Sequence, residues 1–349
     1  MNGSMTAAVL YGKEDIKIEQ VPIPRLDAGE VLIKVQVALT CGTDLKVYRR
    51  GYHARMIVPP ALFGHELAGI VAEVGPGVEE FQVGQRVVAL NSAPCRNCFY
   101  CSRDQENLCD DLLFNNGAYA EYIRIPRRIV QVNMLAVPNS VSCEEAAMVE
   151  PLACVLRGWQ ETQAESGDTV VVIGGGPVGL MFVQLAQLSG CRVISMVKRD
   201  SQAAAVKRLG AAEVVQTASV SDPVEAVRAL TENRRGADVV VEAVGRPETW
   251  ESSLRMVRKG GTINFFGGCA SGTKVQLDTN RLHYSEISLK ATFHHTPASV
   301  RQAFALIADR KIRSTDYITG EAPLSGLQQV LRHMMNRNGD IKTAIIPGR

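Results

Sequence analysis

Four cysteines in one short segment have the spacing of a closed metal site. They are Cys95, Cys98, Cys101 and Cys109. Two-residue gaps separate the first three, and a fourth thiolate further along can complete the tetrahedral shell that structural zinc prefers. In the bacterial iron–sulfur run the fourth cysteine comes after three residues and precedes proline, whereas Asp110 follows Cys109 here. The spacing therefore predicts a structural zinc, with an iron–sulfur cluster or a group of free thiols as the alternatives.

A second set of potential ligands is spread over the first half of the chain. Its members are Cys41, His65, Glu66 and Glu150. A thiolate, an imidazole and a carboxylate suit zinc and leave a coordination position open for substrate or water, which is the arrangement of a catalytic site. Taken singly, each residue is as well explained as a buried side chain or a loop residue. The set gains its meaning from the other motifs of the chain.

A glycine-rich turn follows an apolar run at residues 169–173 and precedes a stretch of helical character. Its glycines are Gly174, Gly176 and Gly179, in the pattern G-x-G-x-x-G, with Pro177 and Val178 inside it. In this strand–turn–helix context the glycines let the backbone approach a pyrophosphate that sits on the helix N-terminus. The motif therefore predicts a binding site for NAD or NADP.

The expected ribose-binding position departs from the NAD pattern. An acidic residue is expected about twenty residues further on, at the end of the second strand. That position is Val197, and Lys198 and Arg199 follow it. Two cations can bind the 2′-phosphate of NADP, the arginine through two parallel hydrogen bonds. Asp200 can still reach a ribose hydroxyl, but the sequence favours NADP over NAD.

The order of these motifs resembles that of the zinc-containing medium-chain dehydrogenases, most closely the sorbitol (polyol) and threonine dehydrogenase branch. The motifs are C-G-T-D, G-H-E, the four-cysteine segment, E-P-L-A and G-G-G-P-V-G, and they extend over nearly the whole chain. The resemblance implies two zinc ions per subunit, one catalytic and one structural. It also implies that Glu150 stands where alcohol dehydrogenases have a cysteine ligand, and that Glu66 approaches the zinc. The run E-P-L-A-C differs from the D-P-F-G-N of threonine dehydrogenases, which disfavours threonine as the substrate.

The same resemblance implies a reaction and the residues that perform it. Hydride would pass between a secondary alcohol (a polyol, sugar or cyclitol) and a nicotinamide cofactor, while zinc polarises the alcohol or carbonyl oxygen. Thr43 matches the residue that bonds the substrate hydroxyl in this family. Lys46 stands where many relatives have a histidine of the proton relay. Thr43, Lys46 and Glu66 are therefore the candidate catalytic residues.

Further contacts are expected with the nicotinamide and the substrate. The nicotinamide half should lie where two predicted strands end, near Val244, Gly267 and Gly268. The candidate substrate contacts are Tyr48, His294 and His295. Tyr48 opens a basic segment, residues 48–55, that lines the substrate mouth in relatives, and the two histidines stand where sorbitol dehydrogenases have Arg-Tyr.

Other functions stay open as alternatives. One is an NADP-dependent primary-alcohol or aldehyde reductase. Another is a sugar-phosphate or sugar-acid dehydrogenase, because the basic segment 48–55 would suit an anionic substrate. A non-enzymatic dinucleotide-binding protein is a remote alternative, because such family members lack the Cys/His/Glu set that this chain has.

Hydrophobic patterning divides the chain into two domains of an α/β protein. Residues 1–151 and 290–349 form the first, predicted as an irregular antiparallel β-barrel that contains the structural zinc lobe at 91–112; the family resemblance implies that this barrel is GroES-like. Residues 152–289 alternate apolar strands with helical stretches, which predicts a Rossmann doubly wound parallel sheet. The predicted strands of this sheet are 169–173, 192–197, 213–215, 238–241 and 262–266.

The composition excludes several kinds of partner. The 349 residues have a formal net charge of +2 and 46% hydrophobic content, which predicts two filled cores and neither nucleic-acid nor membrane binding. The N-terminal residues lack the pattern of a signal peptide, so we expect a cytoplasmic location with the remaining cysteines reduced. The resemblance implies a homodimer or homotetramer.

Overall fold

The computed structural model describes residues 3–53, 55–336 and 340–349. Within these ranges the chain forms two compact units: unit 1 is Met1–Ala153 with Thr296–Arg349, and unit 2 is Cys154–His295. The predicted boundary between 289 and 290 falls inside a strand, Ser288–Ala291, that pairs within unit 2. The chain therefore stays in unit 2 until that strand has ended.

The elements are numbered along the chain. The strands are β1 (Ser4–Gly12), β2 (Asp15–Pro22), β3 (Val31–Leu39), β4 (Ala61–Leu62), β5 (Glu66–Val74), β6 (Arg86–Ala89), β7 (Ser92–Ala93), β8 (Leu113–Phe114), β9 (Tyr122–Ile125), β10 (Met134–Ala136), β11 (Thr169–Ile173), β12 (Arg192–Val197), β13 (Glu213–Gln216), β14 (Ala237–Glu242), β15 (Val257–Phe265), β16 (Ser288–Ala291), β17 (Ile318–Pro323) and β18 (Lys342–Ile346). The α-helices are α1 (Gly42–Arg50), α2 (Arg127–Asn133), α3 (Cys143–Ala147), α4 (Val149–Gln160), α5 (Pro177–Leu188), α6 (Asp200–Arg208), α7 (Pro223–Ala229), α8 (Pro247–Met256), α9 (Thr279–Tyr284), α10 (Pro297–Ala308) and α11 (Leu327–Met335). Short 3₁₀ helices cover Cys101–Arg103, Glu106–Leu108, Glu232–Arg234, Ser314–Asp316 and Leu324–Gly326.

Mainly antiparallel sheets build unit 1. One sheet has the order β2-β1-β4, and a larger one has the order β10-β6-β5-β3-β18-β17, with β9 also paired to β3. Because β5, β9 and β18 all pair with β3, this strand is buried along nearly its whole length. This is the arrangement of the predicted irregular β-barrel, and β3 and β5 are the strands that position Cys41, His65 and Glu66.

The sheet of unit 2 is parallel throughout. Its strand order is β13-β12-β11-β14-β15-β16, which is the order of a doubly wound dinucleotide-binding sheet. The central strands β11 and β14 are rich in valine and buried, as expected when helices cover both faces of a parallel sheet. The α/β class predicted for this unit is confirmed.

The five predicted strands of unit 2 correspond to β11–β15, whereas β16 was not predicted. β11 and β12 have the predicted bounds, β13 and β14 are one and two residues longer, and β15 differs most. β15 begins at Val257 rather than at residue 262, because Val257 pairs with Ala237 ahead of an irregularity in the register. The intervening residues 258–261 have the composition of a turn, which concealed this first pairing. No helix in the described ranges combines the length and the apolar character that a membrane span requires.

The basic segment 48–55 begins inside a helix that the sequence did not predict, since residues 48–50 form the end of α1. Cys41 caps α1, whose N-terminus is closed by a reciprocal capping box with Asp44. The helix ends at Gly51, which takes the left-handed conformation with φ of 88°. Tyr48 lies on the buried side of α1 and is 2% exposed within the hydrophobic core. The ring of Tyr48 therefore packs in the core, and its predicted contact with substrate stays a prediction.

Candidate active site and metal centres

Three of the predicted catalytic ligands meet in unit 1. The ligand atoms of Cys41, His65 and Glu66 all lie within 4.8 Å of one another. The antiparallel register of β3 and β5, in which Leu39 faces Glu66, brings the end of one strand beside the start of the other. Sulfur, nitrogen and oxygen donors of this kind form a set that suits zinc.

Asp44 contacts two of these predicted ligands and holds them in position. Its buried carboxylate lies 3.0 Å from Nδ1 of His65 and accepts hydrogen bonds from the Cys41 N–H at 3.0 Å and from the Tyr119 hydroxyl at 2.6 Å. An Nδ1–H that donates to a carboxylate fixes the ring and leaves Nε2 as the ligand atom. Asp44 belongs to the C-G-T-D motif, but no sequence pattern predicts that Asp44 or Tyr119 supports the ligands.

The charge of Asp44 also dominates the protonation of His65. Burial lowers the pKa of His65, but the Asp44 carboxylate and its hydrogen bond, with the Cys41 sulfur, raise that pKa well above its ordinary value. The imidazole is therefore held in a strongly polar environment although only 5% of the residue is exposed.

Glu66 is bound on one side by a lysine from the far end of the chain. Nζ of Lys342 lies 2.6 Å from Oε2 of Glu66, and the two side chains are 2% and 0% exposed. Burial lowers the pKa of Lys342, but the Glu66 carboxylate raises it above its usual value. Within the described residues Oε1 of Glu66 has no hydrogen-bond partner, which is an uncommon state for a buried carboxylate oxygen. A cation beside Cys41 and His65 would satisfy this oxygen, so the residues fit a zinc ion.

Glu150 lies near this set without joining the three-residue group. It is 6% exposed at the start of α4. Burial raises the pKa of Glu150 to about 7, while the positive charges of His65 and Lys342 lower it and the negative charge of Glu66 raises it further. The charges of His65, Glu66 and Lys342 thus act on the Glu150 carboxylate as well.

The two predicted relay residues lie on α1. Thr43 is half-buried, and its N–H donates to Sγ of Cys41 at 3.4 Å, so it stands directly beside a predicted ligand. Lys46 lies on the exposed side of the helix. Thr43 is therefore partly buried beside the predicted ligands, whereas Lys46 is exposed to solvent.

The four-cysteine lobe forms a separate centre in unit 1. The sulfur atoms of Cys95, Cys98, Cys101 and Cys109 all lie within 4.8 Å of one another, and four thiolates around zinc at about 2.3 Å would be about 3.8 Å apart. Backbone N–H groups of Cys101 and Asp110 lower the pKa of the Cys98 thiol to about 6, which favours the thiolate that binds metal. The Cys95 N–H donates to Sγ of Cys109 at 3.2 Å. These four residues fit a structural zinc.

The glycine motif of unit 2 forms the turn between β11 and α5. Gly174 has φ of 115°, which a residue with a side chain rarely adopts. A Cβ at Gly179 would lie 1.9 Å from the Gly174 carbonyl oxygen, whereas a Cβ at Gly176 would meet nothing within 4 Å. The third glycine therefore permits the close helix–strand packing, and the second faces open space where a pyrophosphate can approach. Pro177 is the first residue of α5 and Val178 the second.

The end of β12 has the two cations predicted for a 2′-phosphate. Val197 is buried, and Lys198 and Arg199 are exposed. The backbone N–H groups of Lys198 and Arg199 donate to Oε1 of Gln202 at 3.3 and 3.2 Å, which fixes the backbone of the turn. Asp200, the acidic alternative for an NAD ribose, accepts a 2.7 Å hydrogen bond from Gln216.

A buried glutamate holds the backbone at the predicted nicotinamide-binding end of unit 2. Glu242 accepts hydrogen bonds from the N–H groups of Val244 and Gly245, both at 2.9 Å, and from the Thr249 hydroxyl at 2.7 Å. A Cβ at Gly267 would lie 2.3 Å from the Gly245 nitrogen, so the two strand ends approach closely. Sequence reasoning named the strand ends but missed Glu242, whose position at the end of an apolar strand was the available signal.

The other two predicted substrate contacts, His294 and His295, are the last two residues of unit 2. His294 has φ of 65° and is half-buried, and His295 is 2% exposed. Their rings lie 4.0 Å apart between centroids. The predicted Gly268 faces open space, with nothing within 4 Å of an added Cβ.

Comparison with known proteins identifies the family. Residues 27–138 match the family model of the alcohol dehydrogenase GroES-like domain, and residues 177–309 match that of the zinc-binding dehydrogenases. A sorbitol dehydrogenase of Bacillus subtilis strain 168 is 32% identical, over 99% of this chain and 98% of that protein. The chain belongs to the zinc-binding medium-chain alcohol dehydrogenase family.

Two further relatives support membership of this dehydrogenase family. D-arabinitol dehydrogenase 1 of Uromyces fabae is 30% identical, over 98% of this chain and 97% of that protein. A crystal structure of a zinc-binding dehydrogenase from Sinorhizobium meliloti 1021 bound to NADP has a TM-score of 0.89 and 29% identity, and covers 99% of this chain and 100% of that chain. The predicted fold class and family are confirmed. The protein is an oxidoreductase that acts on a small-molecule alcohol with zinc and a nicotinamide cofactor, and the non-enzymatic alternative is set aside.

Proposed function

We propose that this dehydrogenase oxidises a secondary alcohol of a polyol, sugar or cyclitol with NADP, and catalyses the reverse reduction. The observation that carries the proposal is the buried set of sulfur, nitrogen and carboxylate donors at Cys41, His65 and Glu66, whose ligand atoms lie within 4.8 Å of one another. Similar proteins named as sorbitol and D-arabinitol dehydrogenases support a polyol substrate.

Cys41 and His65 would hold the catalytic zinc together with Glu66 or Glu150, and the four lobe cysteines would hold a second, structural zinc. Bound zinc supplies a Lewis acid that stabilises the negative charge on the alcohol oxygen as hydride leaves. Glu66 offers Oε1, because Lys342 already engages Oε2. Glu150, with a pKa of about 7, is a carboxylate that can supply or give up its charge near neutral pH.

The chain's own side chains would bind and orient the substrate and move its proton. Asp44 holds the His65 ring through Nδ1, which keeps the ligand geometry fixed. Thr43, beside Cys41, would take the proton of the substrate hydroxyl as its own hydroxyl proton passes on to the next group of the relay. Lys46, on the exposed side of α1, is the candidate that passes it to solvent. His294 and His295 are the candidate contacts to the other substrate hydroxyls.

The dinucleotide would bind unit 2 with its pyrophosphate at the glycine turn and its nicotinamide half near Val244, Gly267 and Gly268. NADP is preferred because Lys198 and Arg199 are exposed cations at the ribose position, whereas Asp200 is hydrogen-bonded to Gln216. The relative of known structure that was solved with NADP supports this preference.

The test is the initial rate of reduced-cofactor formation with NADP and NAD in parallel, over polyols, cyclitols, sugars, sugar phosphates and primary alcohols. We expect the highest kcat/KM with a polyol or cyclitol and NADP. Lys198→Gln with Arg199→Gln should lower kcat/KM for NADP about 100-fold or more and leave that for NAD nearly unchanged, since each of the two charge-assisted bonds contributes about 1.5–3 kcal/mol. Equal efficiency of the wild type with NAD would refute the NADP assignment, and activity confined to sugar phosphates or primary alcohols would refute the substrate class.

We also propose a homodimer or homotetramer that forms through β16. This strand is one of the two edge strands of the unit 2 sheet, with β13 at the other edge, and an open strand edge readily pairs with a second copy. Light scattering after size exclusion measures the mass, and a monomer of 37.9 kDa would contradict the proposal.

A further inference from the structure

A basic cavity lies in unit 2, away from the dinucleotide turn. Its volume is about 370 Å³, and the residues that line it are Arg228, Arg235, Arg258, Lys259, Arg281 and Ser285. The size falls within the range of about 300–1,000 Å³ that small-molecule pockets occupy. We refer to it as the basic cavity.

The basic cavity is at the edge of the sheet where strands begin. Arg235 precedes β14, Arg258 and Lys259 lie in the first residues of β15, and Arg228 is near the end of α7. The dinucleotide turn follows the carboxyl end of β11, and cofactors of doubly wound sheets bind at the carboxyl ends of the strands. The basic cavity is therefore a separate place in the fold.

The positive charge of the cavity is only partly neutralised. Asp238 pairs with Arg258, and Glu232 pairs with Arg235. Over residues 3–53, 55–336 and 340–349, no carboxylate lies within ion-pair distance of the side-chain nitrogens of Arg228, Lys259 or Arg281. The whole chain has a net charge of only +2, so this concentration of cations is local.

The nearest remaining acid does not cancel this charge. Asp278 attracts Arg281, but its Oδ1 accepts the backbone N–H of Arg281 at 2.9 Å as the cap of α9. Burial lowers the pKa of Arg281, and the guanidinium groups of Arg228 and Arg255 lower it further. The Arg281 guanidinium is therefore repelled by neighbouring positive charges, and a bound anion would reduce this repulsion.

Two of the guanidinium groups are held in place by the protein. Arg281 donates from Nε to the Leu254 carbonyl at 2.7 Å and from Nη2 to the Val257 carbonyl at 3.1 Å. Arg258 donates from Nε to Asp238 and from Nη1 to the Lys259 carbonyl at 2.7 Å. In the described part of the chain, Nη1 of Arg281 and Nη2 of Arg258 have no protein acceptor. These donors are pre-positioned for a ligand, which reduces the entropy lost on binding.

Capping explains Arg281 but not the whole cluster. The carbonyls of Leu254, Arg255 and Val257 at the end of α8 are satisfied mainly by Arg281, as a cation near a helix C-terminus does. Arg228 donates one hydrogen bond to the Arg255 carbonyl at 3.3 Å, and Arg281 reaches the same carbonyl at 3.5 Å. Lys259 is exposed. Helix capping therefore accounts for one donor of Arg228 and does not account for Lys259.

We propose that the basic cavity binds a small multivalent oxyanion, with phosphate or carboxylate groups, through Arg228, Lys259, Arg258 and Arg281. Guanidinium groups bind both kinds of oxyanion through paired hydrogen bonds. A concave site of this volume suits a small molecule, whereas nucleic acid requires an extended basic stripe. The inference does not depend on the proposed substrate.

The test is calorimetric titration of the zinc-loaded enzyme at constant ionic strength with NADP and NAD both in saturating excess. The probes are 2,3-bisphosphoglycerate for phosphate and tricarballylate for carboxylate. We expect one saturable site per chain for at least one probe, and the stronger probe identifies the anion class. Arg228→Gln and Lys259→Gln should each weaken binding about tenfold, as expected for a charge-assisted hydrogen bond of about 1.5–3 kcal/mol.

The matched control is Arg332→Gln, which removes the same charge from an exposed helix position in unit 1. Its affinity for the probe should equal that of the wild type, and all three variants should keep the wild-type melting temperature and turnover number. The proposal is overturned if neither probe binds, if saturating dinucleotide abolishes binding, or if the cavity variants bind as tightly as Arg332→Gln.

Discussion

Asp44 shows how one carboxylate can determine the geometry of a metal site that it need not touch. It binds the His65 ring, the Cys41 N–H and the Tyr119 hydroxyl, so a predicted thiolate ligand and a predicted imidazole ligand share one support. Outer carboxylates of this kind fix the tautomer of a ligating histidine and increase its basicity. At the residue scale, the geometry of the site depends on such supports as much as on the ligands.

Asp44→Asn should lower zinc affinity and kcat/KM about 10- to 100-fold, because the amide keeps the size of the side chain but loses the charge that orients His65. Zinc content after dialysis against a graded chelator and steady-state kinetics measure the two effects. Asp222→Asn is the control, since Asp222 also caps a helix start but lies in unit 2. Equal zinc retention in the two variants would contradict the role of Asp44.

Lys342→Met should destabilise the protein by about 3–5 kcal/mol, because it leaves the fully buried Glu66 carboxylate without its partner. The double variant Glu66→Gln with Lys342→Met removes both charges and should regain most of that loss. Urea unfolding at fixed zinc concentration measures both free energies of unfolding. A single variant that costs less than about 1 kcal/mol would show that the pair is not needed for stability.

At the element scale, the glycines of the turn between β11 and α5 have different roles: one is needed for packing and another for ligand binding. The third glycine, Gly179, lies against the Gly174 carbonyl, whereas Gly176 faces open space. The same residue type thus serves packing at one position and ligand approach at the other.

Gly179→Ala should lower the stability of unit 2 by about 1–3 kcal/mol, because the added methyl group overlaps the backbone of the preceding turn. Gly176→Ala should change stability by less than about 0.5 kcal/mol and raise the KM for the dinucleotide about tenfold, because its methyl group occupies the path of the pyrophosphate. Thermal melts and cofactor titrations compare the two variants. Equal losses of stability would contradict this division of roles.

Asp238 ties β14 to β11 and β15, since it accepts a 2.8 Å hydrogen bond from the Thr169 N–H and pairs with Arg258. Burial raises its pKa, but these partners lower it more, so the folded-state pKa lies below the ordinary 3.8. The stabilisation is therefore fully present above pH 3.8 and is lost as the pH falls through the folded value. The difference in melting temperature between the wild type and Asp238→Asn should stay constant from pH 8 to about 5 and shrink below 3.8. A difference that grows with acidity would contradict this sign.

At the scale of the whole molecule, patterns local in the chain could be predicted, and pairings between distant segments could not. The strands of unit 2 could be recognised because buried parallel strands have continuous apolar sequences. The ligand motifs were recognisable because metal chemistry restricts residue type and spacing. α1 was missed because Tyr48, Arg49 and Arg50 resemble part of a surface loop, although Cys41 and Asp44 cap the helix. Lys342 could not be predicted from its local sequence, since its partner Glu66 is brought to it only by the pairing of β18 and β5 with β3.

Cytoplasmic location, oligomeric state and the roles of Lys46, His294 and His295 stay predictions.

The central claim, a catalytic zinc held by Cys41 and a separate structural zinc, is tested most directly by zinc content measured together with alcohol oxidation in Cys41→Ala. The account predicts two zinc ions per chain in the wild type, and one zinc ion with no detectable turnover in the folded variant. Two zinc ions per chain in Cys41→Ala, or turnover near that of the wild type, would contradict it.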